Sequence, residues 1–179
     1  MNDLIERFTL QCRTNKAGTF KRFKPNNVKK ENYKFWKADS NVMLRDAILA
    51  NDVGISYPRQ LEMIHGTIER ILKSFVIKEY GIELLVHETK VIYDAIRKDL
   101  ESEISEDDYE ALNLLDTNFI INRYPTKNRF YTEDMIDDSF KALININNLV
   151  EQALNLSNRA KRAIEQVENE ISITNKEEN

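Results

Sequence analysis

The sequence predicts an all-α protein: an up-and-down bundle of about five helices with a long C-terminal helix and a basic N-terminal extension. Three observations carry this. Apolar residues recur at three-four spacing through most of the chain after Asp39, only four glycines and three prolines interrupt 179 residues, and capping residues stand where the periodic runs begin. The expected organisation is a basic extension over 1–32, a helical bundle over 33–157, and a helical extension with a polar tail over 158–179.

The elements follow in order. Asp39 and Ser40 are placed to cap a short helix carrying Val42, Met43, Ala47, Ile48 and Leu49, which Asn51 to Gly54 stop. Ser56-Tyr57-Pro58 opens a second helix, where proline fits because the first turn's amides have no helical acceptor. Leu61, Ile64, Ile68, Ile71 and Phe75 give it a core face, widened by Leu72 and Val76, and Gly81 ends it. A third carries Val91, Ile92, Ala95, Ile96 and Leu100. Ser105 and Asp108 form a capping pattern for a fourth, with Tyr109, Leu112, Leu115 and Phe119 on one side. Thr132, followed by Glu133 and Asp134, opens the last. In it Leu143, Ile146, Val150, Ala153, Ser157, Ala160, Ile164, Val167 and Ile171 alternate by three and four. That seam is expected to pack on the domain to about Leu156 and is suited to a partner beyond it.

Composition narrows the function. A single cysteine, Cys12, allows no intramolecular disulfide and fits a reducing compartment. No apolar run reaches the length of a membrane span, so an intracellular, cytoplasmic protein without membrane contact is expected. The net charge of −4 conceals an asymmetry: nine basic residues lie between Arg13 and Lys37 against Glu31 alone, leaving about −12 elsewhere. Lys21, Arg22, Lys24, Lys29 and Lys30, interleaved with Phe20, Phe23, Tyr33, Phe35 and Trp36, suit a polyanion such as single-stranded RNA. The same residues also suit docking of a basic segment on the acidic remainder.

No glycine-rich phosphate loop, zinc-spaced Cys/His cluster or paired catalytic acids stand out, and no cofactor or metal is implied. Glu101, Glu103, Glu106, Asp107 and Asp108 read as solvated helix ends. Arg123-Tyr124-Pro125 places a planar cation, a ring and a rigid turn between the last two helices, where they could hold a phosphate and a base or simply turn a corner. Glu69 and Lys73, four apart in the favourable order, suit either a surface ion pair or a cleft. His87 suits a cap or a hydrogen bond.

Trp36-Lys37-Ala38, Tyr57, Glu69-Arg70-Ile71-Leu72-Lys73, His87, Arg123-Tyr124-Pro125 and an acid-led terminal helix resemble, in that order, the HEPN domain (higher eukaryotes and prokaryotes nucleotide-binding domain) over roughly 33–157. The resemblance implies an all-α bundle, a homodimer with a cleft near its interface, and a nucleotide, RNA or nucleotidyltransferase as partner. It matches Glu69 and Lys73 to positions that line the cleft, and the ligand is expected on Arg123 and Tyr124, assisted by Lys127, Arg129, Glu69 and Lys73. Ribonuclease members carry Arg, four to six residues, then His, and Arg123 has no histidine after it. The resemblance therefore implies a non-catalytic nucleotide- or RNA-binding module first. A metal-independent ribonuclease of a toxin or defence system, using Arg59, His65 and Arg123, comes second. A protein-interaction partner of a nucleotidyltransferase comes third.

Overall fold

The computed structural model describes residues 2–14, 26–122 and 130–177, with side chains at 3–12, 26–119 and 130–155. Among the described residues six α-helices follow one another: α1 (Asn2–Thr14), α2 (Tyr33–Asp52), α3 (Tyr57–Tyr80), α4 (Thr89–Ile96), α5 (Glu106–Asn122) and α6 (Glu133–Glu177). The protein is all-α, as its periodicity predicts. The strands β1 (Asn26–Asn27) and β2 (Ile82–Glu83) form one short antiparallel pair, Asn26 opposite Glu83 and Asn27 opposite Ile82.

Helix α3 is the axis of the fold, and α2, α4, α5 and α6 all pack on it. Pro58 stands in its first turn, and Gly81 closes it at φ 66°, its amide donating to the Ile77 carbonyl. Between these ends Leu61, Ile64, Ile68, Ile71, Leu72, Phe75, Val76 and Ile77 are buried. Truncating one such side chain to Ala typically costs about 2–5 kcal/mol. Because helices surround α3, its polar positions are enclosed as well: Glu69, Lys73, Ser74 and Lys78 are buried.

Two elements differ from the sequence-based expectation. Residues 1–32 were expected to form an extension, yet α1 buries Leu4, Phe8 and Cys12 in the same core and packs on α4. Arg7 secures it, donating to the Ala95 carbonyl at 2.6 Å and to Asp99 at 2.8 Å. Helix α2 starts at Tyr33, six residues before Asp39, because a 3-10 turn at Lys30–Asn32 leads directly into it. Asp39 and Ser40 therefore lie inside the helix: Asp39 accepts from Arg70, and Ser40 donates to the Lys37 carbonyl. The expected stop holds, with Gly54 at φ 67°.

The remaining caps stand where expected. Ser105 Oγ accepts from the Asp108 amide at 3.1 Å, and Thr132 Oγ1 from the Met135 amide at 3.3 Å. Asp108, expected to be solvated, is buried and accepts two hydrogen bonds from the Asn145 side-chain amide. In α6 the seam positions Leu143, Ile146, Val150 and Ala153 are buried, and the rest of the repeat lies beyond the described side chains. No helix among the described residues is long and apolar enough to cross a membrane.

Candidate functional site

A cleft of about 580 Å³ opens where α2, α3, the chain after β2 and the end of α5 meet. Helix α2 supplies Trp36 and Met43, and α5 supplies Phe119. Helix α3 supplies Arg59, Glu62, Glu69, Arg70 and Lys73 along one wall. Residues 82–87 alternate in burial, so that Ile82, Leu84 and Val86 enter the core while Glu83, Leu85 and His87 line the cleft.

The electrostatic centre of the cleft is Glu69. Its Oε1 accepts from Lys73 Nζ at 2.7 Å, and both its oxygens lie near His87 Nδ1, at 3.1 and 3.2 Å. The Glu69 and Lys73 side chains are only 9% and 5% exposed, whereas His87 is 53% exposed. Burial pushes the Glu69 carboxyl up, but the hydrogen bond from His87, together with Lys73's charge and hydrogen bond, outweighs it. The net pKa is held below the usual 4.5. Lys73 Nζ also stands 5.4 Å from the centre of the Trp36 ring, within cation–π range. Arg70 pairs with Asp39 and donates to the Gly66 carbonyl, and Arg59 pairs with Glu62.

A second network backs this wall. Asp116 accepts from the Thr89 amide at 2.7 Å, the Thr89 hydroxyl at 2.8 Å and the Lys90 amide at 3.0 Å, and so caps α4 from a different helix. The same carboxylate holds His65 Nε2 at 3.1 Å. His65 is fully enclosed and stacks on Phe119, with ring centroids 4.2 Å apart and planes 14° apart. His87 meets Phe119 at 5.8 Å.

The sequence-predicted site residues fall into distinct places. Glu69 and Lys73 sit together in the cleft as a buried pair. Arg59 lines the cleft mouth, but His65 is withdrawn beneath it against Asp116, so the two do not meet on one wall. Arg123, Tyr124, Lys127 and Arg129 lie outside the described residues, as do Lys21, Arg22 and Lys24. The Arg123-Tyr124-Pro125 phrase begins directly after Asn122, the last residue of the helix that contributes Phe119 to the cleft. Lys29 is exposed, and Lys30 donates to the Glu79 carbonyl. Lys37 reaches α6, pairing with Glu151 at 2.6 Å.

Sequence reasoning missed Arg70, Asp116 and Phe119 as parts of the site. Asp116 and Phe119 sit on α5, distant in sequence from the residues they meet, and nothing local marks them. Among the described residues no cluster of His, Cys, Asp and Glu could hold a metal ion.

No protein-family model and no curated protein matches the chain. Among solved structures the fold is similar to the crystal structure of an archaeal HEPN homologue, with a TM-score of 0.51 and 21% identity. The match covers 67% of this chain and 95% of that one. The fold is thus HEPN-like.

Proposed function

We propose that the chain is a non-catalytic nucleotide- or RNA-binding module whose ligand enters the cleft beside Trp36. The observation that carries this reading is the conjunction of an aromatic face with three cations, Arg59, Arg70 and Lys73, in one recess of about 580 Å³. That volume lies within the roughly 300–1,000 Å³ of small-molecule sites. Carboxylates hold the three cations in place, so a phosphate competes for donors that are already oriented. Arg123 and Tyr124, at the start of the segment that follows α5, complete the binding set in this reading.

Trp36 is the only tryptophan, so its fluorescence reports on the cleft alone. Titration with a short oligoribonucleotide and with a mononucleotide should change that emission. Arg70→Ala and Arg123→Ala should each weaken binding about 5- to 30-fold, the equivalent of roughly 1–2 kcal/mol, without unfolding the bundle. Unchanged emission, with no heat in calorimetry at millimolar ligand, defeats the reading. Unchanged affinity in Arg123→Ala removes that residue from it.

One observation favours a second reading, metal-independent RNA cleavage. With Nδ1 held on Glu69, His87 presents Nε2 from a half-exposed ring in a cleft that also holds Arg59, Arg70 and Lys73, the arrangement of an oriented general base. Cleavage of labelled RNA in EDTA that is lost in His87→Gln and retained in His65→Gln would make the protein an enzyme. Binding without cleavage keeps it a module.

A further inference from the structure

Resting on the binding reading above, we infer that Glu83 selects the base of the ligand. Its carboxylate accepts a hydrogen bond from the exocyclic amine of a nucleobase and disfavours bases, such as uracil, whose exocyclic groups are all carbonyls. Three carboxylates line the cleft, Glu62, Glu69 and Glu83. Glu62 pairs with Arg59 and Glu69 with Lys73, while Arg70 pairs with Asp39. Every cation of the recess is therefore matched by a carboxylate. Among the described residues no ion pair or hydrogen bond engages the Glu83 side chain, so its negative charge is the unmatched one.

The fold fixes where that charge stands. Glu83 lies in β2 opposite Asn26, and the Val28 amide continues the pairing by donating to the Gly81 carbonyl at 2.9 Å. A side chain on such a paired segment is better placed for recognition than one on a free loop. From β2 the chain runs back along α3 until His87 meets Glu69, and Glu83, Leu85 and His87 face the cleft at alternate positions, about 6.5 Å from one to the next. Glu83 thus sits toward the C-terminal end of α3, whereas Arg59 is in that helix's first turn. The cleft has a donor end and an acceptor end. Trp36, beside Lys73, and Leu85, which is 47% exposed, supply apolar surface for the face of a base.

An ionised carboxylate accepts hydrogen bonds and donates none. A ligand that brought only negative charge would be repelled by Glu83, but a nucleotide with its phosphate toward Arg59 and Arg70 turns its base toward it. Cytosine and adenine carry an N–H group where uracil and hypoxanthine carry a carbonyl oxygen, and a carboxylate is the acceptor suited to such an amine. The carbonyl bases leave two acceptors facing each other, an arrangement that a recess built around an acceptor rejects.

The test compares ligands that differ at this edge: cytidine with uridine monophosphate, and adenosine with inosine monophosphate, by calorimetry on the wild-type chain. The amine-bearing member of each pair should bind at least about tenfold more tightly. Glu83→Gln, whose amide can accept or donate, and Glu83→Ala, which does neither, should each bring both ratios to within about threefold, with unchanged circular dichroism. Ribose phosphate, which has no base, should bind these variants at least as tightly as it binds wild type. Equal affinity for the two members of each pair, or a preference that survives both substitutions, overturns the proposal and leaves the binding reading in place. No binding of any of the four nucleotides overturns both.

Discussion

Lys73 Nζ lies 2.7 Å from Glu69 Oε1, one helical turn away, with both side chains almost wholly out of solvent. On an exposed helix such a pair contributes about 0.2–0.5 kcal/mol. Here α2 and the segment after β2 cover it, so removing one partner leaves a buried charge whose loss of pairing typically costs about 3–5 kcal/mol. Glu69→Gln keeps an acceptor for Lys73 and should lose about 2–3 kcal/mol in urea denaturation at neutral pH. The pH dependence has a definite sign. Glu69's folded pKa is depressed below 4.5, so its stabilising contribution is present above the unfolded value and is lost as pH falls through the folded one. The gap between wild type and Glu69→Gln should therefore narrow on acidification below about pH 4.5; a constant gap would show that the pair is not coupled to folding in this way.

Asp116 makes the second test. It accepts the Thr89 and Lys90 amides and holds His65, so one carboxylate starts α4 and positions the ring behind the cleft. Asp116→Ala should cost about 2–4 kcal/mol, combining a lost cap with a buried histidine left unpaired. Hydrogen exchange at the Thr89 and Lys90 amides should accelerate more than at the Ile68 to Leu72 turn of α3. Equal protection before and after the change would remove Asp116 from this role.

Two glycines with similar backbones should respond differently. Gly54 and Gly81 have φ values of 67° and 66°, yet a Cβ at Gly54 would meet nothing within 4 Å, whereas one at Gly81 would lie 3.2 Å from the Val28 carbonyl oxygen. Gly54→Ala should cost only the left-handed backbone penalty of about 1 kcal/mol. Gly81→Ala should cost more, about 2 kcal/mol, because Val28 is also held there by its amide's hydrogen bond to the Gly81 carbonyl. Thermal melts of the two variants compare them directly.

The legible part of this molecule is the part governed by local spacing. The apolar face of α3, Gly81 as its stop, and the Ser105 and Thr132 caps each depend on residues within a few positions of one another. Glu69 and Lys73 were legible as a pair, but their burial was not, since α2 and the segment after β2 arrive from elsewhere in the chain. The role of α1 was obscured because the basic stretch from Arg13 onward dominates the composition around it, while Leu4, Phe8 and Cys12 lie just before that stretch. Asp116 and Phe119 act across 27 and 54 residues respectively, on Thr89 and on His65, a separation that periodicity does not encode.

Asp94 provides a case where a native charge works against the fold at neutral pH. It is buried and accepts hydrogen bonds from the Tyr109 hydroxyl at 3.0 and 3.1 Å. Burial raises its carboxyl pKa above the usual 3.8, and the Tyr109 hydrogen bond and the charges of Arg97 and Lys90 only partly oppose that. A raised folded pKa means that the protonated form is the better fit. Its stabilising contribution is full below the unfolded pKa and is lost as pH rises through the folded one. Asp94→Asn retains an oxygen acceptor for Tyr109 and carries no charge to desolvate, so its Tm should exceed that of wild type at pH 7 by up to a few degrees, roughly 2–4 °C per kcal/mol for a chain of this size. The advantage should shrink as the pH is lowered toward 3.8 and wild-type Asp94 becomes protonated. A lower Tm for the variant at pH 7 would mean that the charge-assisted hydrogen bond from Tyr109 outweighs the cost of burying the carboxylate.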